Sequence, residues 1–222
     1  MKRYTIFLTI VSVLFILLNG EKSIAENIDE VISDLESSDW ETRLSAVENL
    51  GKIRDKRSID LLMNVADASY EAWQVRVRAI RLLGEIGNPR AIDALAKIFN
   101  DPFVNFACPA IKWHTAIALG NFKRSPKITD TLINGLEDDH LMIREVSIQS
   151  LGKIGDPKAV PFLISSLRDK HFAIKVSAIK SLGEIGDRQA IPSLMDVADN
   201  NNDPYIKNEA LSVLRNFSSQ GE

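Results

Sequence analysis

The chain has 222 residues, a length that suits one ordinary domain or one array of repeats. A hydrophobic fraction of 45%, with three Trp and nine Phe, excludes an intrinsically disordered chain. The formal net charge of −3 gives no overall basic character for binding nucleic acid or an anionic membrane surface.

Residues 1–25 have the features of a secretory signal peptide. Lys2 and Arg3 form a basic start, residues 5–18 are an apolar run, and Ser-Ile-Ala at 23–25 matches a signal-peptidase site. The run of 14 residues is shorter than the roughly 20 of a spanning helix, which favours cleavage over an uncleaved anchor. Cleavage removes three basic residues and one acidic residue, so the net charge becomes −5. We therefore expect an exported protein, periplasmic or extracellular, with no nucleic-acid partner and no membrane insertion after cleavage.

The exported chain would contain one cysteine, Cys108, which cannot form an intramolecular disulfide. Its stability must therefore come from packing.

A fixed period organises residues 26–217. Residues 148–163 and 179–194 agree at ten of sixteen positions when they are offset by 31. Apolar residues recur 8, 4 and 3 positions before an anchor leucine and 3 positions after it, which is the spacing of one helical face. Such a period is the signature of a solenoid. The anchors are Leu50, Leu83, Leu119, Leu151, Leu182 and Leu214.

Regular stop and restart signals divide each repeat into two helices. Gly87, Gly155 and Gly186 stand where a helix ends in a left-handed turn, and Asn or Asp follows each of them as the next N-cap. Residues 28–35 resemble a lone second helix at the start. We therefore expect one all-α domain over residues 26–217, with twelve helices in about six antiparallel hairpins, and a polar tail at 218–222.

Residues 151–163 and 182–194 share the pattern Leu-Gly-x-Ile-Gly-Asp-Pro-x-Ala-Val/Ile-Pro-x-Leu. The second run has Arg188 in place of the first Pro of the pattern. Residues 83–92 are a variant copy of its first part. This pattern resembles the HEAT-repeat family, in its short subclass named for phycobilisome lyases. The resemblance implies a right-handed α-solenoid. Members of the subclass include scaffolds, chromophore lyases and a hydroxylase.

The hydroxylase members bind iron through His-Glu pairs. Thr115, Leu141 and Phe172 follow the three histidines of this chain, so that chemistry is not carried over. The sequence contains no other catalytic motif, and we expect a non-enzyme without cofactor or metal.

A basic residue stands seven positions before each anchor leucine. Because the pattern recurs in every repeat, we interpret it as structural, with each side chain paired to an Asp of its own or the next repeat. The residues are Arg43, Arg76, Lys112, Arg144, Lys175 and Lys207.

Two connections between consecutive hairpins, 67–74 and 100–109, are longer than the others and rich in aromatic residues. They lie on the same edge of a solenoid, and insertions in solenoid loops often form the binding face. One interpretation is an aromatic partner-binding patch; the other is that the rings fold inward and fill an irregular core. The candidate residues are Tyr70, Trp73, Phe103, Phe106, Trp113 and His114.

The function that these features favour is a non-catalytic scaffold for a protein partner. Its surface would be the row of second helices, with the aromatic loops as added anchors. The alternative is a lyase-like or chaperone-like accessory subunit that handles an aromatic ligand or cofactor. The row comprises Asp60, Asn64, Asp93, Lys97, Asn134, Ser165 and Asp196.

Overall fold

The computed structural model describes residues 28–219, apart from the side chains of residues 105–107 and 219. In this part of the chain every regular element is a helix. The α-helices are α1 (28–35), α2 (Trp40–Ile53), α3 (Lys56–Asp67), α4 (Trp73–Ile86), α5 (Ile92–Asn100), α6 (Pro102–Ala107), α7 (Pro109–Leu119), α8 (Pro126–Asn134), α9 (Leu141–Ile154), α10 (Val160–Ser166), α11 (Phe172–Ile185), α12 (Ile191–Asn200) and α13 (Pro204–Ser219).

The helices form two rows, as the repeat predicts. The first helices of the hairpins are α2, α4, α7, α9, α11 and α13, and the second helices are α1, α3, α5, α8, α10 and α12. Leu50, Leu83, Leu119, Leu151 and Leu182 are buried between the rows, in a hydrophobic core that continues along the array. The predicted all-α solenoid is confirmed.

Two boundaries differ from the sequence prediction. The connection 100–109 contains the short helix α6, because Asp101 accepts a hydrogen bond from the Phe103 amide and Pro102 takes the first helical position. At the other end of the described chain, α13 continues through Ser219, two residues past the predicted end of the solenoid.

The hairpin turns have the predicted geometry. Gly87, Gly155 and Gly186 have φ angles of 66°, 69° and 71°, the left-handed conformation that glycine adopts without a Cβ clash. In the first hairpin Arg54 takes the same conformation with φ 56°, and its Nε donates a hydrogen bond to the Gly51 carbonyl oxygen at 3.0 Å.

Consecutive first helices approach each other closely through small residues. A Cβ added to Gly84 would lie 2.7 Å from the Ala118 Cα atom. The Ser150 hydroxyl donates to the Ala116 carbonyl oxygen at 3.0 Å, and the Ser181 hydroxyl donates to that of Ile148 at 3.0 Å. The second residue of each Leu-Gly anchor is therefore small because a neighbouring helix occupies the space.

The second helices are joined in register by ion pairs. Arg57 pairs with Asp29 at 3.0 Å and Arg90 with Asp60 at 2.9 Å; Lys127 pairs with Asp93, and Lys158 with Asp130 at 2.5 Å. Each pair joins the starts of two consecutive second helices, so these helices are parallel. The array therefore has two edges: a hairpin edge at the turns within repeats, and a connection edge where second helices end and first helices begin.

Candidate functional site

The predicted basic ladder lies at the connection edge and holds the repeats together. The Arg43 guanidinium donates to the Ser37 carbonyl oxygen at 2.7 Å and pairs with Glu71 of the next repeat at 2.7 Å. Lys207 donates to the Asp199 carbonyl oxygen at 2.8 Å. These side chains donate hydrogen bonds to carbonyl oxygens at or just after the ends of the preceding helices. These two members hold structural contacts, but their partners are Glu71 and backbone carbonyl oxygens rather than the predicted Asp side chains.

The two long connections are neighbours, and Arg76 lies between them. Its side chain is buried, and its Nε donates to the Ala66 carbonyl oxygen at 3.1 Å. Burial lowers the pKa of Arg76, while Asp67 of one connection and Asp101 of the other oppose that change. Residues from both connections therefore surround one buried guanidinium.

Three of the predicted aromatic residues lie at the surface of this edge. Tyr70 is 92% exposed, Phe103 is 80% exposed, and Trp73, the first residue of α4, is 52% exposed. These three rings therefore do not fill the core. Phe106 lies in α6, and its side chain is outside those that the structure describes.

Trp113 and His114 belong to a different part of the edge, which we call the Trp113 groove. The groove opens between the starts of α7 and α9, encloses about 550 Å³ and is mainly apolar. Neither Trp73 nor Phe103 lines it, so the structure divides the predicted patch into exposed rings and a groove. The lining residues are Pro109, Ala110, Trp113, His114, His140, Leu141, Met142 and Ile143.

The two predicted groove residues are partly buried. The Trp113 and His114 rings meet edge to face, with their centroids 4.6 Å apart. Burial lowers the pKa of His114, and the positive charge of Arg81 lowers it further. The lowered pKa favours the neutral imidazole, which can donate one hydrogen bond and accept another at the edge of an apolar surface.

The buried ion pair of Lys112 and Asp138 stabilises the groove. Lys112 Nζ lies 2.6 Å from the Asp138 carboxylate, and both side chains are buried. The His140 backbone amide donates to Asp138 Oδ1 at 2.9 Å. Because Lys112 precedes Trp113 and His140 precedes Leu141, this pair fixes the two walls of the groove relative to each other.

The sequence interpretation missed the far wall of the groove and several exposed apolar residues. Met142 is 62% exposed, and Trp40, Phe172 and Tyr205 are also exposed at the starts of first helices. All four stand nine or ten positions before their anchor leucines, as Trp73 does. This common position was the signal that could have found them.

Several residues of the predicted second-helix row form contacts between adjacent repeats. Asp60 and Asp93 form the ion pairs described above, Lys97 pairs with Asp67 at 2.5 Å, and the Asn134 side-chain amide donates to that of Asn100 at 3.3 Å. These side chains connect adjacent repeats.

Within residues 28–219, no group of three His, Cys, Asp or Glu side chains is placed to hold a metal ion. No helix of this part of the chain is both long enough and apolar enough to cross a membrane.

Two rows of parallel helices around a continuous core define an α-solenoid. The sequence matches the HEAT repeats family over residues 28–107, 103–172 and 129–215. The chain belongs to the HEAT-repeat family. No curated protein matches its sequence significantly.

Several solved structures share the fold. The complex of CpcE and CpcF of phycocyanin lyase from Nostoc sp. PCC7120 has a TM-score of 0.57 and 21% identity, covering 84% of this chain and 75% of that one. A designed armadillo repeat protein in complex with the peptide (KR)4 has a TM-score of 0.59 and 17% identity, with coverages of 85% and 98%. An archaeal HEAT-like repeats protein from Thermococcus onnurineus NA1 has a TM-score of 0.56 and 15% identity, with coverages of 86% and 87%. At these identities the likeness shows the fold alone.

Proposed function

We propose that this chain is an exported, non-catalytic scaffold that binds a protein partner at its connection edge. The observation that carries the proposal is the Trp113 groove, an open apolar surface at the middle of a HEAT-repeat array. Export rests on the signal-peptide features of residues 1–25.

The mechanism would be preorganised recognition. The walls of the groove belong to α7 and α9, and the buried Lys112–Asp138 pair connects α7 to the turn just before α9, so little ordering is needed when a partner binds. Trp113 supplies a rigid, partly buried ring and Met142 an adaptable, exposed side chain. A partner would insert apolar side chains between them and displace water from the groove.

Affinity capture from the exported fraction of the source cell tests this function, with the variant Met142→Glu beside the wild type. A carboxylate at Met142 would have to be desolvated in the apolar groove, so we expect binding of the identified partner to weaken about tenfold or more. The matched control is Met195→Glu in α12, because Met195 is 52% exposed but lies on the second-helix row.

The deciding measurement is the dissociation constant of the purified partner for the wild type and for each variant. Loss with Met142→Glu and retention with Met195→Glu would support binding at the groove. Equal affinities for the wild type and both variants would refute it. Circular dichroism checks that both variants keep the helical fold.

The size of the groove favours one second candidate, an accessory subunit that handles an aromatic ligand or cofactor. A volume of about 550 Å³ lies within the range of small-molecule sites, and the imidazoles of His114 and His140 would orient a polar group of the ligand. Native mass spectrometry of protein purified from its source cell tests this candidate. A bound small molecule that Met142→Glu displaces would favour it over the scaffold.

A further inference from the structure

Exposed apolar side chains recur along the connection edge from the first repeat to the sixth, and we call those of the first four repeats the stripe. Repeat by repeat, the stripe contains Trp40, then Tyr70 and Trp73, then Phe103, and then Met142 beside the Trp113 groove. Contiguous exposed apolar surface on a soluble protein typically marks an interaction site. The stripe extends the groove into a surface that spans several repeats.

The spacing of the stripe limits the shape of what it can bind. Packed helices are roughly 8–10 Å apart, so each repeat advances the stripe by about that distance. An extended chain advances about 3.3 Å per residue, so about three of its residues match one repeat. An extended segment with an apolar residue at every third position therefore places one such residue on each repeat.

The charges beside the stripe indicate what the intervening residues are. Glu36, Asp39 and Glu41 are exposed around Trp40, and Glu137 and Asp139 are exposed shortly before Met142. Two basic residues of the ladder are turned inward here, since Arg43 pairs with Glu71 and Lys112 with Asp138, whereas Lys97 at the end of α5 is exposed and pairs with Asp67. The two ends of the stripe, around Trp40 and Met142, are therefore apolar and acidic.

Aromatic faces and carboxylates both attract cationic side chains. A Lys or Arg group beside a Trp or Tyr ring gains a cation–π interaction, and nearby carboxylates add charge complementarity. We propose that the connection edge of the first four repeats binds an extended, Lys- or Arg-rich protein segment that carries an apolar residue at about every third position. This inference rests on the proposed scaffold function and names the chemistry of its partner.

Synthetic peptides test the inference directly. The probe is a fluorescent peptide of about fifteen residues that repeats Leu-Lys-Lys, long enough to cover about four repeats. One comparison peptide repeats Leu-Glu-Glu, and another repeats Ser-Lys-Lys. In fluorescence anisotropy with the full chain, we expect Leu-Lys-Lys to bind about tenfold or more tightly than either comparison peptide. Raising the salt from about 50 mM to about 300 mM should weaken this binding.

Matched variants locate the binding surface. Trp73→Ser with Phe103→Ser should weaken Leu-Lys-Lys binding about tenfold, and Glu36→Gln with Glu41→Gln should weaken it to a similar extent. The control is Phe162→Ser with Met195→Ser, because those apolar residues are exposed on the second-helix row. The control pair should leave the affinity unchanged.

Two results would overturn the inference: equal binding of Leu-Glu-Glu and Leu-Lys-Lys, or equal effects of the edge and control variants. If the peptides fail while the cellular partner still binds through Met142, the scaffold function stands and the inference about its partner is wrong. If Met142→Glu does not change the affinity of the captured partner but the peptides bind at the connection edge, the proposal that the partner binds in the Trp113 groove is wrong.

Discussion

Lys112 and Asp138 form a buried ion pair at the junction of the third and fourth repeats, with 2.6 Å between Lys112 Nζ and the Asp138 carboxylate. The same ammonium lies 4.8 Å from the centre of the Phe99 ring. The pair thus connects helices of different repeats and supports the Trp113 groove. Removal of one partner leaves the other charge buried with less compensation.

Lys112→Met should therefore lower the free energy of unfolding by about 3 kcal/mol. The double variant Lys112→Met with Asp138→Asn should lose less than the sum of the two single variants, by about 1 kcal/mol or more, because the uncompensated charge is gone. Urea unfolding followed by circular dichroism measures all three. Strictly additive losses would show that the two residues do not depend on each other.

The close approach of first helices predicts different effects of the same substitution at two glycines. A Cβ at Gly84 would lie 2.7 Å from the Ala118 backbone, whereas a Cβ at Gly51 would lie 2.5 Å from a terminal carbon of the Leu82 side chain. A side chain can rotate away, but a helix backbone must shift.

We expect Gly84→Ala to lower the free energy of unfolding by about 2 kcal/mol, despite a gain of about 1 kcal/mol in helix propensity. Gly51→Ala should lower the free energy of unfolding by less than Gly84→Ala does. Thermal and urea unfolding of the two variants measure the difference. A stabilised Gly84→Ala variant would mean that the helices can separate at no cost.

The Arg43–Glu71 pair predicts a dependence of stability on acidic pH. The hydrogen bond from Arg43 lowers the pKa of Glu71, although burial of the carboxylate opposes the change. A carboxylate with a lowered folded-state pKa stabilises the fold above its unfolded pKa of about 4.3, and this contribution is lost as the pH falls through the folded-state value.

Glu71→Gln should therefore lower stability by about 2 kcal/mol at pH 7, because the Glu71 side chain is only 8% exposed and accepts two hydrogen bonds from Arg43. The difference from the wild type should shrink as the pH falls from the unfolded pKa through the folded-state pKa. Urea midpoints measured from neutral to strongly acidic pH follow it, with the exposed Glu30→Gln as control. A difference that does not change with pH would exclude ionisation as its cause.

His114 predicts a second pH effect, in a higher range. Burial lowers the pKa of His114, with a further contribution from Arg81, so the unfolded chain binds a proton more readily than the folded chain. Its stabilising contribution is present above the unfolded pKa of about 6.5 and is lost as the pH falls below it. The wild type should therefore lose stability relative to His114→Gln between neutral and mildly acidic pH.

Nuclear magnetic resonance titration of the three imidazoles identifies the group that is responsible, and urea unfolding over the same pH range measures the change. A normal or raised pKa at His114 would contradict the prediction.

Much of the fold could be predicted because its signals are local. Leu83 with its flanking apolar residues specifies one helix face, Gly87 ends that helix, and Asn88 begins the next segment by accepting a hydrogen bond from the Arg90 amide at 3.0 Å. The prediction missed α6 because its connection was interpreted as a long loop. The cap and the proline at residues 101–102 were present in the sequence.

The candidate site was only partly predictable. Tyr70, Trp73 and Phe103 were candidates because their connections break the repeat, whereas Met142 was not considered because its repeat has regular length. Whether an aromatic ring at the end of a helix faces the core or the solvent depends on neighbours about 30 residues away in the sequence.

The sequence by itself determined the repeat period, the helices and their ends, because each depends on residues within one or two helical turns. The tertiary structure alone decided that the aromatic residues divide between an exposed stripe and a groove, and that Arg43, Arg76 and Lys112 of the basic ladder turn inward. Net charge and residue order contain no distances between repeats, and only the stacking of one hairpin on the next brings Trp113 opposite Met142.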